Sequence, residues 1–568
     1  MTTRFERPGQ RRAGRRLVLW LVLVGTVSGG TWVAARWRVG SLIRAAQAEL
    51  STANPAAATA FLEAADFWRV RRAQVAEARG ALALVTGDLP AAETTLTTAR
   101  AAGLHRSGLD LDHLGRLLCD RALYRAVMTF ADHREATGGG QLPDLWRAEA
   151  ALADNDLEAA TGWLSADRSA GNDPARARRL AALLAARRRQ GVAWSVFDRH
   201  DRPLLGRDGK NGALRTEIPE LGPHPLSGDG VLHVLGDRDL GGRVTLTLDL
   251  AYERAAHAAL GGYAGAFVAI DPETGGILAL VDHPSPGATG SPAVRREYEP
   301  GSIVKMLTLA AALDTQLDMD SLFPLNCTGN MTLDHKVFYD WTVHGMVAGI
   351  DAATAQSCNL AFAAIGLELG QARLDDTLHR FGFDATPPGT DLDVVLGRTT
   401  EIDAGRPRLG LASRSVGLGT LTMTPLHVAL VAAGLANGGV LMQPHLVASR
   451  TSLGGDAAYA TTEPVSWQTG TSPGSARRIG EAMLHVVTDP LGTGRRAAID
   501  GLDFVMKTGT AGERRAGLNT VVLGWAPATD PVVAFGFVAE HAGKAELEGT
   551  RILRDFLTTV RNEFPARP

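Results

Sequence analysis

The sequence predicts a multidomain protein: a transmembrane helix at the N-terminus, an all-α region of helical repeats, and an α/β domain whose central antiparallel sheet is flanked by helices. Three observations predict this organisation. An uncharged stretch follows a basic tail, leucine and alanine recur every 34 residues in the next part, and strand-like segments lie early and late in the part after residue 243. The length of 568 residues is enough for several domains, and the 45% hydrophobic content is ample for large cores.

The N-terminus combines a basic tail, residues 1–16, with a charge-free segment. Residues 4–16 contain six arginines and one acid, and the 19 residues from Leu17 to Ala35 contain no charge. A helix of that length spans about 28 Å, which is close to the hydrocarbon thickness of a bilayer. The basic flank predicts a single-pass anchor in the cytoplasmic (inner) membrane, with the N-terminus in the cytoplasm and the rest of the chain outside. A signal peptide cleaved after 33–35 is the alternative, and it also places the rest of the chain outside.

Residues 42–189 are rich in alanine, leucine and arginine and poor in β-branched residues, which indicates helices throughout. A period of 34 residues is that of tetratricopeptide repeats, so we interpret this region as tetratricopeptide-like. Such repeats serve either as a spacer or as a concave surface that recruits a partner, and both interpretations stay open. Four columns of residues carry the period: Leu84, Leu118 and Leu152; Leu89, Leu123 and Leu157; Ala92, Ala126 and Ala160; and Leu96, Phe130 and Leu164.

Residues 191–242 contain glycine, proline and short β-like pieces, such as 192–197, and they predict a small β-rich connector. The predicted α/β domain then runs from residue 243 to residue 562. Its late strands are predicted at 503–510, 520–525 and 532–538.

The chemistry of the chain centres on Ser302 and Lys305. Pro300 and Gly301 precede an apolar helical run, so Ser302 should lie at or near a helix N-terminus. Residues three apart share a helix face, so the Lys305 amine can reach the Ser302 hydroxyl, and a neutral buried lysine can activate a serine nucleophile. Only five of the 58 basic residues are lysine, and because arginine cannot be deprotonated, these few lysines indicate a need for an ionisable amine or a compact charge. The lysines are Lys210, Lys305, Lys336, Lys507 and Lys544.

Three motifs occur in a diagnostic order: Ser302 to Lys305, then Ser357-Cys358-Asn359, then Lys507-Thr508-Gly509. This order resembles that of the penicillin-recognising serine enzymes. From residue 243 to 562 the chain resembles, more specifically, the transpeptidase domain of a class B, monofunctional penicillin-binding protein, and 267–279 and 423–439 extend the similarity. The resemblance implies a β-lactamase-like fold, with a largely helical subdomain between the early and the late strands. It also implies a D,D-transpeptidase that cross-links peptidoglycan stem peptides and is acylated by β-lactams.

The resemblance also implies catalytic roles. Ser302 would attack the carbonyl between two terminal D-alanines, and Lys305 would take its proton, with a pKa lowered by burial and by the charge of Lys507. Ser357 would pass a proton to the departing amine. Asn359 would bind the substrate backbone and steady Lys305.

Substrate binding would fall to the third motif and its surroundings. The backbone N–H groups of Ser302 and Thr510 would form the oxyanion hole. Lys507, Thr508 and Thr510 would bind the terminal carboxylate of the donor peptide. Gly509 would leave the strand edge open, so that an extended peptide can add to it.

The expected partners are stem peptides, β-lactam antibiotics and the cytoplasmic membrane. The resemblance adds a membrane-embedded glycan polymerase of the cell-shape or cell-division class, and the repeats are a second route to cell-wall synthesis proteins. A net charge of −3 argues against nucleic acid. No cofactor is expected.

No metal site is expected either, since the three cysteines, Cys119, Cys327 and Cys358, and the 15 histidines show no metal-ligand spacing. We favour free thiols over a bridge between Cys327 and Cys358. Asp334, His335 and Asp340 precede the second motif and receive no role.

Three other functions share these motifs or this architecture. A β-lactamase often carries a Glu-x-x-Leu-Asn arrangement, which is absent between Asn359 and Lys507. A D,D-carboxypeptidase differs mainly in accepting water. A repeat scaffold or β-lactam sensor with vestigial catalysis would not need the intact motifs.

Overall fold

The computed structural model describes residues 31–564 with internal gaps, and its contacts divide the chain into two units. The first unit holds the chain up to Gln190 together with Thr451–Ala457, and the second holds Gly191–Arg450 and the chain from Ala458 onward. The gaps fall at 52–53, 69, 105–110, 138–143, 167–172, 191, 209–213, 217–241, 287–290, 389, 393, 456–457 and 513–516.

The part of the first unit up to Gln190 is built of helices where it is described, as predicted. Asn54 and Asp88 each accept a backbone N–H at the start of a helix, and each is followed by proline within the first two helical positions. The helices are α1 Thr31–Ser51, α2 Pro55–Asp66, α3 Arg72–Thr86, α4 Leu89–Ala101, α5 Leu111–Asp120, α6 Tyr124–Ala136, α7 Asp144–Ala153, α8 Leu157–Ala166 and α9 Pro174–Gln190.

The 34-residue period has a structural counterpart. Leu84, Leu118 and Leu152 are fully buried and lie in α3, α5 and α7, respectively, which are the first helices of three successive pairs. The alanine column at 92, 126 and 160 is buried in the second helices, α4, α6 and α8. Residues one period apart therefore take equivalent places in the core, while membership of the tetratricopeptide family stays a prediction.

The predicted membrane anchor, 17–35, falls outside the described residues except for its last five, which lie in α1. Among the helices that the structure describes, none combines the length and the apolar character that a membrane crossing requires.

The second unit is built on a five-stranded antiparallel sheet in the order β17-β18-β19-β5-β6, so that β17 is at one edge. This confirms the predicted mixed α/β fold with an antiparallel sheet. The strands are β5 Gly265–Ile270, β6 Ile277–His283, β17 Val505–Ala511, β18 Asn519–Ala526 and β19 Val533–Ala539.

Helices cover both faces of this sheet. Because side chains alternate along a strand, Val268 faces one core, with the helix Pro425–Ala436, whereas Phe267 faces the other. There the rings of Phe267 and Phe556 lie 4.6 Å apart. The helices are α10 Leu250–Leu260, α11 Pro292–Arg295, α12 Lys305–Asp314, α13 Ile350–Ala355, α14 Asn359–Leu369, α15 Gln371–Arg380, α16 Pro407–Ser415, α17 Pro425–Ala436, α18 Pro473–Thr488 and α19 Glu548–Val560.

A second sheet joins distant parts of the chain in the order β15-β14-β4-β1-β2-β3. The strands β1, β2 and β3 lie in the predicted connector, whose residues 217–241 fall outside the described part. Their pairing with β4, and through it with β14 and β15, was not predicted, because periodicity reveals strands but not partners. The strands are β1 Val192–Phe197, β2 Pro203–Asp208, β3 Leu214–Thr216, β4 Arg243–Leu246, β14 Val447–Thr451 and β15 Ala458–Thr461.

Short two-stranded pairings complete the second unit, and two of them precede the second motif. Their strands are β7 Leu325–Cys327, β8 Asn330–Leu333, β9 Lys336–Tyr339, β10 Gly345–Val347, β11 Arg398–Thr399, β12 Leu421–Thr422, β13 Val440–Met442 and β16 Ser466–Thr469.

Candidate active site

Ser302 lies in a 3-10 turn, Gly301–Val304, and Lys305 begins α12 directly after it. Gly301 has a φ of +60°, and a Cβ atom there would lie 3.0 Å from the carbonyl oxygen of Thr510. Its N–H donates to the carbonyl of Gly417 at 2.9 Å. The turn therefore packs its backbone against the edge strand β17, and both the dihedral angle and the close approach require glycine.

Gly509 meets the same turn from the strand side. A Cβ atom at this position would lie 2.7 Å from the carbonyl oxygen of Pro300. The sequence interpretation was that Gly509 keeps the strand edge open for a peptide, and β17 is indeed outermost in its sheet. The structure adds a second reason for glycine, which is the close approach of the serine turn. This packing also brings the turn that carries Ser302 against Thr510, as an oxyanion hole built from both backbones requires.

Lys305 is fully buried, and its ammonium donates three hydrogen bonds. They go to the Ser357 carbonyl at 2.6 Å, the Ser357 Oγ at 3.1 Å and the Asn359 Oδ1 at 2.7 Å. Burial lowers the pKa of Lys305 to about 8, although the carboxylate of Asp340 opposes the shift. Within the described residues none of its bonds reaches Ser302, and such catalytic hydrogen bonds often form only when substrate is bound.

Lys507, on β17, is fully buried as well and shares the same hydroxyl. Its ammonium donates to the Ser357 Oγ at 2.8 Å and to the Thr508 carbonyl at 2.9 Å. Burial, followed by repulsion from Lys305, holds the pKa of Lys507 well below its usual value. Burial is thus the main cause of both lowered pKa values, and the repulsion between the two amines, which is mutual, favours the neutral form of at least one of them.

The second motif holds Ser357 between the two amines through an unusual backbone. Ser357 has a φ of +56°, a left-handed conformation that few residues other than glycine adopt. Asn359 begins α14, and its amide nitrogen donates to the Tyr339 carbonyl at 3.3 Å while its oxygen faces Lys305. The structure therefore brings Lys305, Ser357, Asn359 and Lys507 into one hydrogen-bonded network.

The threonines of the third motif make their own bonds. The hydroxyls of Thr508 and Thr493 lie 2.7 Å apart, and the Thr510 hydroxyl accepts the N–H of Ala545 at 3.1 Å. A role for either threonine in binding a substrate carboxylate stays a prediction.

Sequence reasoning missed Glu299. Its carboxylate accepts the N–H groups of Gly419 at 2.6 Å and Gly512 at 3.3 Å, so it ties the serine turn to the end of β17. The sequence feature that could have pointed to Glu299 is its position directly before Pro300, at the start of the serine motif.

Sequence reasoning also missed a cluster of four residues beside the second motif. Cys327, Asp340, His344 and Cys358 place donor atoms within 4.8 Å of one another. The cysteines are free thiols, as favoured from the sequence. Spacing along the chain does not reveal this cluster, because β7, β10 and the start of α14 bring distant positions together.

The arrangement places the turn that carries Ser302 beside the edge strand β17, next to two buried lysines that share the hydroxyl of Ser357, and such lysines can activate a serine nucleophile. The penicillin-recognising serine enzymes are the class of protein defined by an antiparallel sheet whose edge strand carries the lysine of the third motif beside the serine turn and the second motif. The family described as penicillin binding protein transpeptidase domain matches residues 265–557. The chain belongs to this family.

Curated relatives extend the match. The peptidoglycan D,D-transpeptidase PbpA of Mycolicibacterium smegmatis is 33% identical over 345 residues, which cover 53% of this chain and 68% of that protein. The peptidoglycan D,D-transpeptidase MrdA of Acinetobacter baumannii is 29% identical over 399 residues, covering 60% and 57%, respectively.

Solved structures agree in fold. The D,D-transpeptidase domain of a peptidoglycan glycosyltransferase from Eggerthella lenta has a TM-score of 0.57 at 26% identity, covering 66% of this chain and 99% of that one. The penicillin G acyl-enzyme of penicillin-binding protein A from Mycobacterium tuberculosis has a TM-score of 0.55 at 23% identity, covering 65% and 99%.

Proposed function

We propose that this protein is a serine D,D-transpeptidase that cross-links peptidoglycan stem peptides and is acylated by β-lactams. The observation that carries the proposal is the network in which the Ser357 hydroxyl accepts hydrogen bonds from both Lys305, at 3.1 Å, and Lys507, at 2.8 Å. Burial and mutual repulsion both disfavour two charged amines side by side. Two lysines with a purely structural role would therefore not need to be fully buried next to each other. Membership of the family and the names of its relatives support the same reaction.

In the first step the Ser302 Oγ forms a bond to the carbonyl carbon between two D-alanines. Neutral Lys305 takes the serine proton, and the N–H groups at Ser302 and Thr510 stabilise the oxyanion. The carbon–nitrogen bond then breaks, and the proton reaches the departing amine through the Ser357 hydroxyl. The products are an ester on Ser302 and free D-alanine.

In the second step the amine of a neighbouring stem peptide attacks the ester. A carbon–nitrogen bond forms, the bond to the Ser302 Oγ breaks, and a proton passes from the amine through Lys305 back to the serine. The edge of β17 suits the donor peptide, because an extended backbone can pair with it while Gly509 adds no side chain. Lys507 supplies a positive charge near the donor carboxylate when it is protonated.

Mass spectrometry of the full chain after brief exposure to penicillin tests this proposal, with Ser302→Ala beside it. The expected result is a lasting adduct on the peptide that contains Ser302 and none in the variant. Incubation with a pentapeptide donor and an amine acceptor should then give a cross-linked product in excess of the hydrolysed one.

Other outcomes would contradict the proposal. Rapid antibiotic hydrolysis without an adduct would identify a β-lactamase. An adduct with hydrolysed peptide as the sole product would identify a carboxypeptidase, and neither adduct nor hydrolysis would identify a scaffold.

We propose further that residues 17–35 anchor the chain in the cytoplasmic membrane with the catalytic unit outside. A basic tail followed by a charge-free segment supports this, and protease protection of the N-terminus in intact cells tests it. We also propose a membrane-embedded glycan polymerase as a partner, because cross-linking that follows glycan synthesis would act on its product. The helical unit is its candidate binding surface.

A further inference from the structure

We propose that the helical unit contains a recognition site for a turn of leucine followed by glycine, and that its ligand is the chain's own Leu453-Gly454 turn. Besides the chain up to Gln190, this unit holds one further segment, Thr451–Ala457, of which 451–455 are described. The segment connects β14 with β15. The side chains that bind it lie 275 to 329 residues away along the chain, so the contact is tertiary and not local.

Three side chains hold the backbone of the turn. The Tyr124 hydroxyl accepts the N–H of Leu453 at 2.8 Å, and the Glu149 Oε1 accepts the N–H of Gly454 at 3.0 Å. The Arg179 Nε donates to the carbonyl of Gly454 at 2.8 Å. These side chains come from three different helices, α6, α7 and α9. Two successive N–H groups and one carbonyl therefore find partners, as backbone groups buried inside a protein require.

The groups that accept the turn are buried and are oriented by charge. Glu149 is fully buried, and the Arg176 Nε donates to its Oε2 at 2.6 Å. The Arg176 Nη1 donates to the Asp120 Oδ1 at 2.6 Å, and the Tyr124 hydroxyl donates to the Glu149 Oε1 at 3.0 Å. Replacing a buried ion pair by apolar side chains is often neutral or stabilising, so packing alone does not account for these charges. Binding the backbone of the turn does.

The site also selects the side chains of the turn. Leu453 packs against the apolar core of the helical unit. At Gly454 a Cβ atom would lie 2.5 Å from the Glu149 Oε2 and 2.7 Å from the Arg176 Cγ, so there is no room for a side chain. Ser452 is buried, but its hydroxyl makes no hydrogen bond within the described residues. The site thus reads leucine and glycine and does not read the serine hydroxyl.

This assignment gives the helical unit a ligand within its own chain, in addition to any role as a spacer or as a surface for a partner. The chain fills the site with its own turn, so a partner protein that binds the helical unit must use another surface or displace the turn. A segment that displaces it must offer leucine followed by glycine, because the site accepts that pair.

Hydrogen–deuterium exchange of the full wild-type chain tests the proposal without any variant. Mass spectrometry with fragmentation that resolves single amides gives the rates at Leu453 and Gly454. Both amides should exchange at least about 100-fold more slowly than in a synthetic peptide of residues 447–461, because their acceptors are buried. Exchange of both amides at the rate of the peptide would overturn the proposal.

Variants test each contact separately. Gly454→Val places carbon atoms against Glu149 and should raise exchange at the turn to the rate of the peptide. Tyr124→Phe removes the hydroxyl that accepts the Leu453 N–H, so this amide should exchange about 10-fold faster. Ser452→Ala, within the segment, and Gly162→Ala, in α8, are the controls and should leave the exchange of the turn unchanged. The first removes a hydroxyl without a described hydrogen bond, and the second adds a methyl group that meets nothing within 4 Å.

The helices distinguish a bound turn from an integral part of the core. In Gly454→Val the amides of α6 and α7 should keep their wild-type protection while the turn loses its own. Loss of protection in these helices as well would overturn the proposal, because the turn would then be inseparable from the helical core and not a ligand of it. Wild-type protection of the turn in Gly454→Val would overturn it too, since the site would not require glycine.

Discussion

The rate of Ser302 acylation should rise with pH because Lys305 must be neutral to accept a proton. A pKa of about 8 means that Lys305 is mostly charged below pH 8 and mostly neutral above it. The neutral fraction is about 1% at pH 6 and about half at pH 8, so acylation should accelerate about 50-fold over this interval and level off near pH 9. A lysine with an ordinary pKa would instead give a rate still rising tenfold per unit at pH 9.

The assay follows the initial rate of labelling of the full chain by a fluorescent penicillin, quenched at short times, between pH 6 and 9.5. In Lys305→Arg the guanidinium stays charged, so the rate should fall by about 10² to 10⁴ and lose this pH dependence. Lys336→Arg, an exposed lysine in the same unit, is the matched control and should behave as wild type. A flat wild-type profile, or activity in Lys305→Arg that matches the control, would refute the assignment of Lys305 as the base.

The remaining predictions concern packing and the site amide. Gly509→Ala should slow acylation and cost about 1 to 3 kcal/mol of stability by thermal unfolding, because its Cβ would meet a carbonyl at 2.7 Å, whereas Gly262→Ala meets nothing within 4 Å and should be neutral. Leu118→Ala should destabilise the helical unit by about 2 to 5 kcal/mol in denaturant titrations followed by circular dichroism, and exposed Leu491→Ala should not. Asn359→Ala removes a 2.7 Å bond to the site lysine and should slow acylation about 10- to 100-fold; an unchanged rate would contradict its role.

The sequence predicted the chemistry of the site better than its geometry. The scarcity of lysine among abundant arginines pointed to Lys305 and Lys507. In the structure both lysines are buried, and both amines donate to the hydroxyl of Ser357. No hydrogen bond joins Lys305 to Ser302 in the described part of the chain, where the amine bonds to Ser357 and Asn359. Spacing along a helix says which side chains share a face but not which acceptors compete for them.

Two features required tertiary information. β1 pairs in parallel with β4, and no local pattern identifies such a partner. Likewise, Cys327 and Cys358 come together because a short strand and a helix start converge on Asp340. Spacing along the chain reveals clusters that are built on one hairpin or helix, and this cluster is assembled from several elements.

The burial of two lysines has a practical consequence for chemical labelling. Lys336 and Lys544 are exposed, whereas Lys305 and Lys507 have no accessible surface. Bulky amine-reactive dyes or coupling resins should therefore modify the exposed pair and spare Lys305 and Lys507. A small electrophile that enters the cleft would meet the opposite selectivity, since amines of lowered pKa are the more nucleophilic ones at neutral pH. The same chain thus offers one set of lysines for immobilisation and another for covalent probes.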